Sequence, residues 1–431
     1  MATAIANNLE SPAHSGATPG RPWMASVYWL ASLAAFFFLS YNTSNWLASQ
    51  RGHVPTIMFG WEKSMPFVAW TIVPYWTSDL LYVLSLLICT TRRELDMHAK
   101  RLLGAQLISV SCFLAMPLLC GFERPATHGV FGWLFDVLLG FDRPFNQAPS
   151  LHVSLAVILW DRFAAHLTGV WRIAMTGWLA LVVLSTMTTY QHQFVDVPTG
   201  ALAGLLAIAL FPDEEWKTRR AQRLRLATFY LSGATLAGAV ALRFGGFVSI
   251  LLWPAAALAL VAIAYAMDLP GLFRALPVRL VLAPYTVGAW LNSRWWTRNH
   301  APAEEIVPGV WLGRAPGWFD GGSRGFGSVV NLSAELHVSH DRLRNVPMLD
   351  LVDPRPEQVA SAVEAISQFE QQRPTLVCCA LGYSRSASAV AAWLVESGHA
   401  GSQEEAVERI RERRPQIVLS PIGGAPVVSG V

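Results

Sequence analysis

Charge is scarce in this chain. Of its 431 residues only 14% are Asp, Glu, Lys or Arg, against 53% hydrophobic. A chain with that balance carries more apolar side chain than a soluble surface tolerates, so it is not a soluble globule throughout, and much of it is expected to face lipid. Cysteine is scarce too. Five in all are too few and too scattered for a secreted disulfide framework. Cys89, Cys112 and Cys120 fall inside apolar runs and read as small packing residues. The adjacent pair Cys378 and Cys379 stands apart from them. The net charge is only +3, from 32 basic and 29 acidic side chains, which gives no reason to expect a nucleic-acid partner. No metal-ligand spacing is present, and neither metal nor cofactor is expected.

What the sequence has in quantity is apolar segments of about spanning length. Eight precede residue 270, near 23–42, 66–90, 102–121, 150–167, 172–190, 194–212, 225–243 and 247–267. The fourth and sixth are short and carry polar residues. Basic residues set the orientation, because cytoplasmic loops are enriched in them. One set of loops holds Arg92, Arg93, Lys100, Arg101, Arg162, Arg172, Lys217, Arg219, Arg220, Arg223 and Arg225. The opposite set holds only Arg51, Lys63, Arg124, Arg143 and Arg243. The first set is read as cytoplasmic, which puts the N-terminus inside and returns the chain to the cytoplasm at Asp268.

The expected organisation is a flexible N-terminal tail over 1–22 and a polytopic α-helical membrane domain over 23–267. An interfacial linker follows over 268–302, then a soluble α/β domain over 303–420 and a tail over 421–431. In the linker, Leu280 to Leu291 is apolar but short and is broken by Pro284. Its flanks, Arg274, Arg279, Arg294, Trp290, Trp295 and Trp296, suit a helix lying in the headgroup region. If it crossed instead, everything after it would change sides. Beyond Thr297, Gly309–Gly313, Ser328–Leu332 and Thr375–Cys379 read as strands. Helical patterns cover Pro356–Gln371 and Ser384–Ser397, and a third starts at Ser402 with a capping box to Glu405. Strands alternating with helices imply a mostly parallel sheet.

Between the last strand and the helix after it lies Val377 to Ser386, reading VCCALGYSRS: a cysteine, five residues, an arginine and a serine. Backbone amides of such a loop and the following helix N-terminus converge on one concavity suited to a dianion. The same positive field favours the thiolate of Cys379 near neutral pH. Arg385 can grip two phosphate oxygens in a fork, Gly382 permits the tight turn, and Ser386 can hydrogen-bond the sulfur. This is the pattern of two-step nucleophilic catalysis. Residues 303–420 resemble a dual-specificity protein tyrosine phosphatase domain, which implies Cys379 as nucleophile and Arg385 as phosphate clamp. The chain departs from that family by carrying Cys378 where a histidine usually precedes the nucleophile. The resemblance also implies a general acid on a loop before the preceding helix. Asp350 fits the usual distance to the nucleophile better, whereas Asp353 fits the distance to the helix start; Asp350 is favoured.

Two segments interrupt the apolar pattern with reactive residue types. Ala148–His152 opens the fourth span, and Ser185–Asp196 joins the fifth and sixth. Both fall on the extracytoplasmic side, as does Arg124. His192 and Asp196 are four apart, so on a helix they share a face and the carboxylate can orient the imidazole. Ionisable groups at membrane depth are usually functional. Residues 60–212 resemble the type 2 phosphatidic acid phosphatase superfamily. The resemblance implies His192 as a nucleophile forming phosphohistidine, Asp196 as its orienter, His152 as the acid, and Arg124 as a phosphate contact. Pro117 stands where that superfamily has lysine, Leu151 where it has glycine, and Thr186 where it has arginine. The Pro-Ser-Leu-His variant ending at His152 and the Gln-His…Asp variant ending at Asp196 look more like the branch containing inositol phosphorylceramide and sphingomyelin synthases, and Arg143 can supply a second cation.

Taken together, the chain resembles bacterial inner-membrane proteins that join these two superfamilies, with the cysteine phosphatase in the cytoplasm. The expected substrates are a phospholipid or phosphoinositide, a phosphoprotein, or both. Two other readings stay open: a membrane half that only anchors the phosphatase, and a phosphate sensor without turnover.

Overall fold

The computed structural model describes residues 21–140, 142–213, 218–317, 325–369 and 374–419. The expected tail over 421–431, and all but the last two residues of the tail over 1–22, lie outside the described residues. The chain forms two compact units, Met1–Asp213 and Glu214–Val431.

The first unit is helical: α1 Trp23–Ser49, α2 Ile72–Ile88, α3 Arg92–Ala115, α4 Gly129–Leu139, α5 Leu151–His166, α6 Gly169–Thr188 and α7 Asp196–Leu210. Side-chain caps start two of them. The Thr91 hydroxyl accepts the Glu94 N–H at 3.2 Å, and the Ser150 hydroxyl accepts that of Val153 at 3.4 Å. Helices α5 and α7 pack closely because Gly200 and Gly204 face the backbone of α5. A Cβ at either glycine would stand 2.6 Å from a carbonyl oxygen, of Ser150 or Ser154. This is the small-residue spacing that lets apolar helices touch.

Among the described residues, five helices are long and apolar enough to cross a membrane: Trp23–Ser49, Ala69–Ile88, Gly169–Thr188, Arg219–Phe244 and Gly246–Ala266. The eight expected spans therefore reduce to five candidates. The other three segments are helical but fall short. Helix α3 starts at Arg92, well before its apolar stretch, and its opening turns are charged. Helices α5 and α7 have 16 and 15 residues, against about 20 for a span.

The second unit begins with a helix pair, α8 Arg219–Phe244 and α9 Leu252–Ala266, followed by α10 Leu276–Val281 and α11 Ala283–Trp296. Pro284 sits in the first turn of α11, where its missing N–H is harmless. At 14 residues α11 extends about 21 Å, short of the ~30 Å hydrocarbon core. Then come β1 Ala303–Val307, β2 Val310–Arg314, β3 Ser328–Ser333, β4 Leu343–Met348, α12 Pro356–Phe369, β5 Thr375–Cys379, α13 Arg385–Glu396 and α14 Gln403–Arg413. The five strands run in the order β1-β2-β5-β3-β4. Only β1 is antiparallel to its neighbour, so the sheet is mostly parallel, as expected.

Successive strand residues point to opposite faces, and β5 shows both. Val377 and Cys379 face α12, α13 and α14, where Trp393, Ile366 and Ile410 complete the core. Leu376 and Cys378 face the other way, into a cluster that includes Ala289 and Trp290 of α11. The helix expected at the headgroup level thus covers the second face of the sheet. The α8–α9 pair packs on the same unit, with Ala227, Val261 and Tyr265 against Ala334, Leu349 and Val352.

Candidate active site

Strand β5 is buried along its whole length between β2 and β3, and it delivers Cys379 to the edge of the loop that precedes α13. The loop turns at Gly382 with φ +75°, and a Cβ there would lie 2.4 Å from the Gly313 carbonyl carbon, so only glycine fits. The Cys379 sulfur is turned into the loop. It accepts the Gly382 N–H at 3.3 Å and the Ser386 hydroxyl at 3.2 Å.

Arg385 opens α13 and is 3% exposed. Its guanidinium donates to both carboxylate oxygens of Glu335, at 2.9 and 2.7 Å, and to the Met348 carbonyl at 3.0 Å. It also meets Asp350 Oδ1 at 2.9 Å. Glu335 follows β3 and is equally buried. Burial disfavours its charge, yet the charge and hydrogen bonds of Arg385 hold its carboxyl below the ordinary range. Burial also raises the Asp350 carboxyl above its ordinary range, with Arg385 pulling it down and Glu335 pushing it up. Leu351, beside it, adopts φ +56°, a strained position for a branched residue. Tyr265 of α9 donates to the Asp350 carbonyl at 3.1 Å.

Asp353 is placed differently. Its carboxylate accepts from Gln222 at 2.9 Å, its N–H donates back to Gln222 at 3.0 Å, and its carbonyl accepts from Arg219 at 2.8 Å. It fastens the loop after β4 to α8 and is turned to that helix. Cys378 is fully buried on the opposite sheet face, and burial pushes its thiol well up.

Two residues that shape this loop were not singled out from sequence. Glu335 is one. Arg414 is the other: fully buried, it donates to the carbonyls of Gly382 at 3.0 Å and Leu381 at 3.4 Å, and pairs with Glu304 at 2.9 Å. It braces the loop from behind. The only trace of Glu335 in the sequence is a lone charge two residues past an apolar strand, and such a charge needs a partner when buried.

In the first unit, His192 Nδ1 lies 3.1 Å from Asp196 Oδ2, and the Gln193 N–H donates to the same oxygen at 2.9 Å. The His152 ring is 6.1 Å from that of His192 and stacks on Tyr75 at 4.1 Å. The structure therefore brings the two histidines and Asp196 together. The Arg124 guanidinium instead lies over the Phe135 ring at 4.4 Å, with one terminal nitrogen buried and without a partner among the described residues. Arg143 is exposed.

A strand-end cysteine with its sulfur on a loop amide, and a buried arginine at the next helix start, frame a compact cysteine loop. Residues 323–421 match the model of the family described as dual specificity phosphatase, catalytic domain. The C-terminal region is therefore a dual-specificity phosphatase catalytic domain, and the protein is a phosphoric monoester hydrolase of the dual-specificity or tyrosine phosphatase type. Similar solved structures include Tk-PTP in the active form, at 29% identity over 27% of this chain and 87% of that one, with a TM-score of 0.25. PTPMT1 in complex with PI(5)P matches at 21% identity over 28% of this chain and 88% of that one, also at 0.25. Human DUSP28 matches at 23% identity, covering 28% and 87%, again at 0.25. No curated protein sequence matches the chain.

Proposed function

We propose that the protein is a membrane-bound phosphatase whose C-terminal domain, over 303–420, hydrolyses phosphate monoesters of a phosphoprotein or phosphoinositide through a phosphocysteine. The observation that carries this reading is the Cys379 sulfur held between the Gly382 amide and the Ser386 hydroxyl, with buried Arg385 alongside. In the first step the thiolate attacks phosphorus, an S–P bond forms, and the ester P–O bond breaks. Asp350 gives its proton to the leaving oxygen, while Arg385 and the loop amides hold the equatorial oxygens. In the second step Asp350, now a carboxylate, takes a proton from water as it attacks. The S–P bond breaks, inorganic phosphate leaves, and Ser386 steadies the departing thiolate. Glu335 keeps the guanidinium aimed throughout.

Asp350 is read as the general acid, since it lies beside Arg385 whereas Asp353 is bonded to α8. A general acid must be protonated to act, so the rate falls as pH rises through its raised pKa. Asp350→Asn is expected to lower kcat for alkyl phosphates by about 10²–10⁴-fold and to remove that alkaline limb; Asp353→Asn keeps the limb. The reverse pattern in the two pH–rate profiles would move the role to Asp353.

The membrane half is read as a second site, a lipid phosphatase or phosphotransferase with His192 as nucleophile, Asp196 as its orienter and His152 as the acid. The His192–Asp196 bond and the nearness of His152 support it. Arg124 and Arg143 would contact the phosphate, and the buried unpartnered nitrogen of Arg124 suits an anion. The resemblance to bacterial fusion proteins favours the bacterial inner membrane, and the basic loops favour an N-terminus and a cysteine domain in the cytoplasm. In a Cys379→Ser background, vesicle-reconstituted protein is expected to retain headgroup release from lipid that His192→Ala then abolishes. A Cys379→Ser protein inert toward every lipid offered leaves the membrane half as an anchor.

A further inference from the structure

A cavity of about 340 Å³ lies in front of the cysteine loop, a volume in the range of small-ligand sites. One wall is the site itself, through Ala380 and Leu381 of the loop, Asp350 and Glu335. The other wall consists of helices, with Tyr230 from α8, Leu258 from α9, and Tyr285 and Gly288 from α11. Helices α8 and α9 belong to two of the five segments apolar enough to cross a membrane.

We propose that the substrate of the cysteine site is a membrane phospholipid carrying a terminal phosphate monoester, which enters along the α8–α9–α11 wall. The inference rests on the reading of that loop as a phosphatase. A leaving group on a phosphate at Cys379, within reach of Asp350, projects into this cavity. Against the helix wall a phosphopeptide would bury a run of backbone amides for which the wall offers only the side chains of Tyr230, Tyr285, Asn292 and Ser293, and Ser293 already donates to Ala380, at a cost in free energy for the amides left over. A glycerol backbone and acyl chains have almost no such groups to lose. Helix α11 also presents a surface that fits a lipid. On α11, Leu291, Trp295 and Trp296 are exposed, and the Arg298 guanidinium stacks over Trp295 at 4.0 Å. Tryptophan with arginine is the composition of the headgroup layer, where cations meet anionic lipid. The cysteine loop at the cavity's edge holds the phosphate, and the wall bearing Leu258 and Tyr230 belongs to helices that lipid can surround.

The test uses the full chain carrying His192→Ala, so that only the cysteine site reports, reconstituted in phosphatidylcholine vesicles. Phosphate release is compared for dioleoyl phosphatidic acid in the same vesicles, its water-soluble dibutyryl analogue, a phosphotyrosine peptide and p-nitrophenyl phosphate. The expected result is kcat/KM for the long-chain lipid at least about tenfold above that for the peptide and the short-chain analogue. A Cβ added at Gly288 meets open space, so Gly288→Trp projects its indole into the cavity without displacing backbone. It is expected to reduce the ratio of long-chain lipid to p-nitrophenyl phosphate turnover about tenfold. Leu258→Trp, from a different helix, serves the same purpose should Gly288→Trp fail to fold. Preference for the phosphopeptide, or a ratio unmoved by a folded variant, overturns the lipid assignment and leaves the phosphatase reading standing. Failure to hydrolyse even p-nitrophenyl phosphate overturns the phosphatase reading, and the lipid assignment with it.

Discussion

Replacing Cys379 by serine is expected to abolish phosphate release by the C-terminal domain, with kcat falling on the order of 10⁶-fold, the scale on which removing a catalytic nucleophile acts. A hydroxyl is far harder to ionise than a thiol and does not supply the attacking anion. The exchange changes volume little, and the Gly382 amide and Ser386 hydroxyl that surround the sulfur remain as donors. The variant is therefore expected to fold and to bind phosphate without turning substrate over. Cys378 cannot take over the role. It points to the opposite face of the sheet, and burial disfavours its thiolate. Turnover of an aryl phosphate by the full chain, with and without the substitution, measures the effect.

Glu335→Ala is expected to be the most destabilising single change near the site. It removes both carboxylate contacts of a guanidinium that is 3% exposed. Breaking one side of a buried ion pair costs about 3–5 kcal/mol when the other charge is left alone, and with Asp350 still in contact the loss is expected at the lower end, about 3 kcal/mol. Asp350 then becomes the remaining carboxylate beside Arg385, so the guanidinium is drawn toward the acid and away from the phosphate seat. Loss of a preorganised charge contact lowers kcat by about 10²–10³-fold. Glu335→Gln, which retains an acceptor, is expected to do less on both counts. Denaturant unfolding and kcat on the same preparations test this. A loss below about 1 kcal/mol, the worth of an exposed pair, would contradict it.

The reactive loop was legible because its parts are contiguous: a buried strand, Cys379, Gly382, Arg385 and a helix, each with a local signature. Its supports were not. Glu335 stands 50 residues before the arginine it orients, and Arg414 lies 32 residues after Gly382. Those pairings come from the fold and leave no spacing rule behind. The two strands missed, β1 and β4, are the edges of the sheet. Their burial is partial and irregular, and β4 contains Pro347, which an edge tolerates and a central strand does not. The linker shows a further limit. Apolar residues flanked by Trp and Arg suit a membrane surface, yet Ala289 and Trp290 pack on the sheet face; periodicity reveals an apolar side and not what covers it. In the first unit, the sequence suggested the His192–Asp196 pair through a shared helical face, yet α7 starts at Asp196 and His192 reaches it from the preceding loop. The close α5–α7 approach at Gly200 and Gly204 depends on a partner helix.

Turnover through a phosphocysteine puts a covalent phosphoryl group on one sulfur. The most direct measurement is mass spectrometry of the full chain, acid-quenched during turnover of an aryl phosphate and digested. Phosphate is expected on the peptide containing Cys379 and is expected to be absent from Cys379→Ser. Turnover that proceeds with Cys379 unmodified, or that persists undiminished in the serine variant, would contradict it.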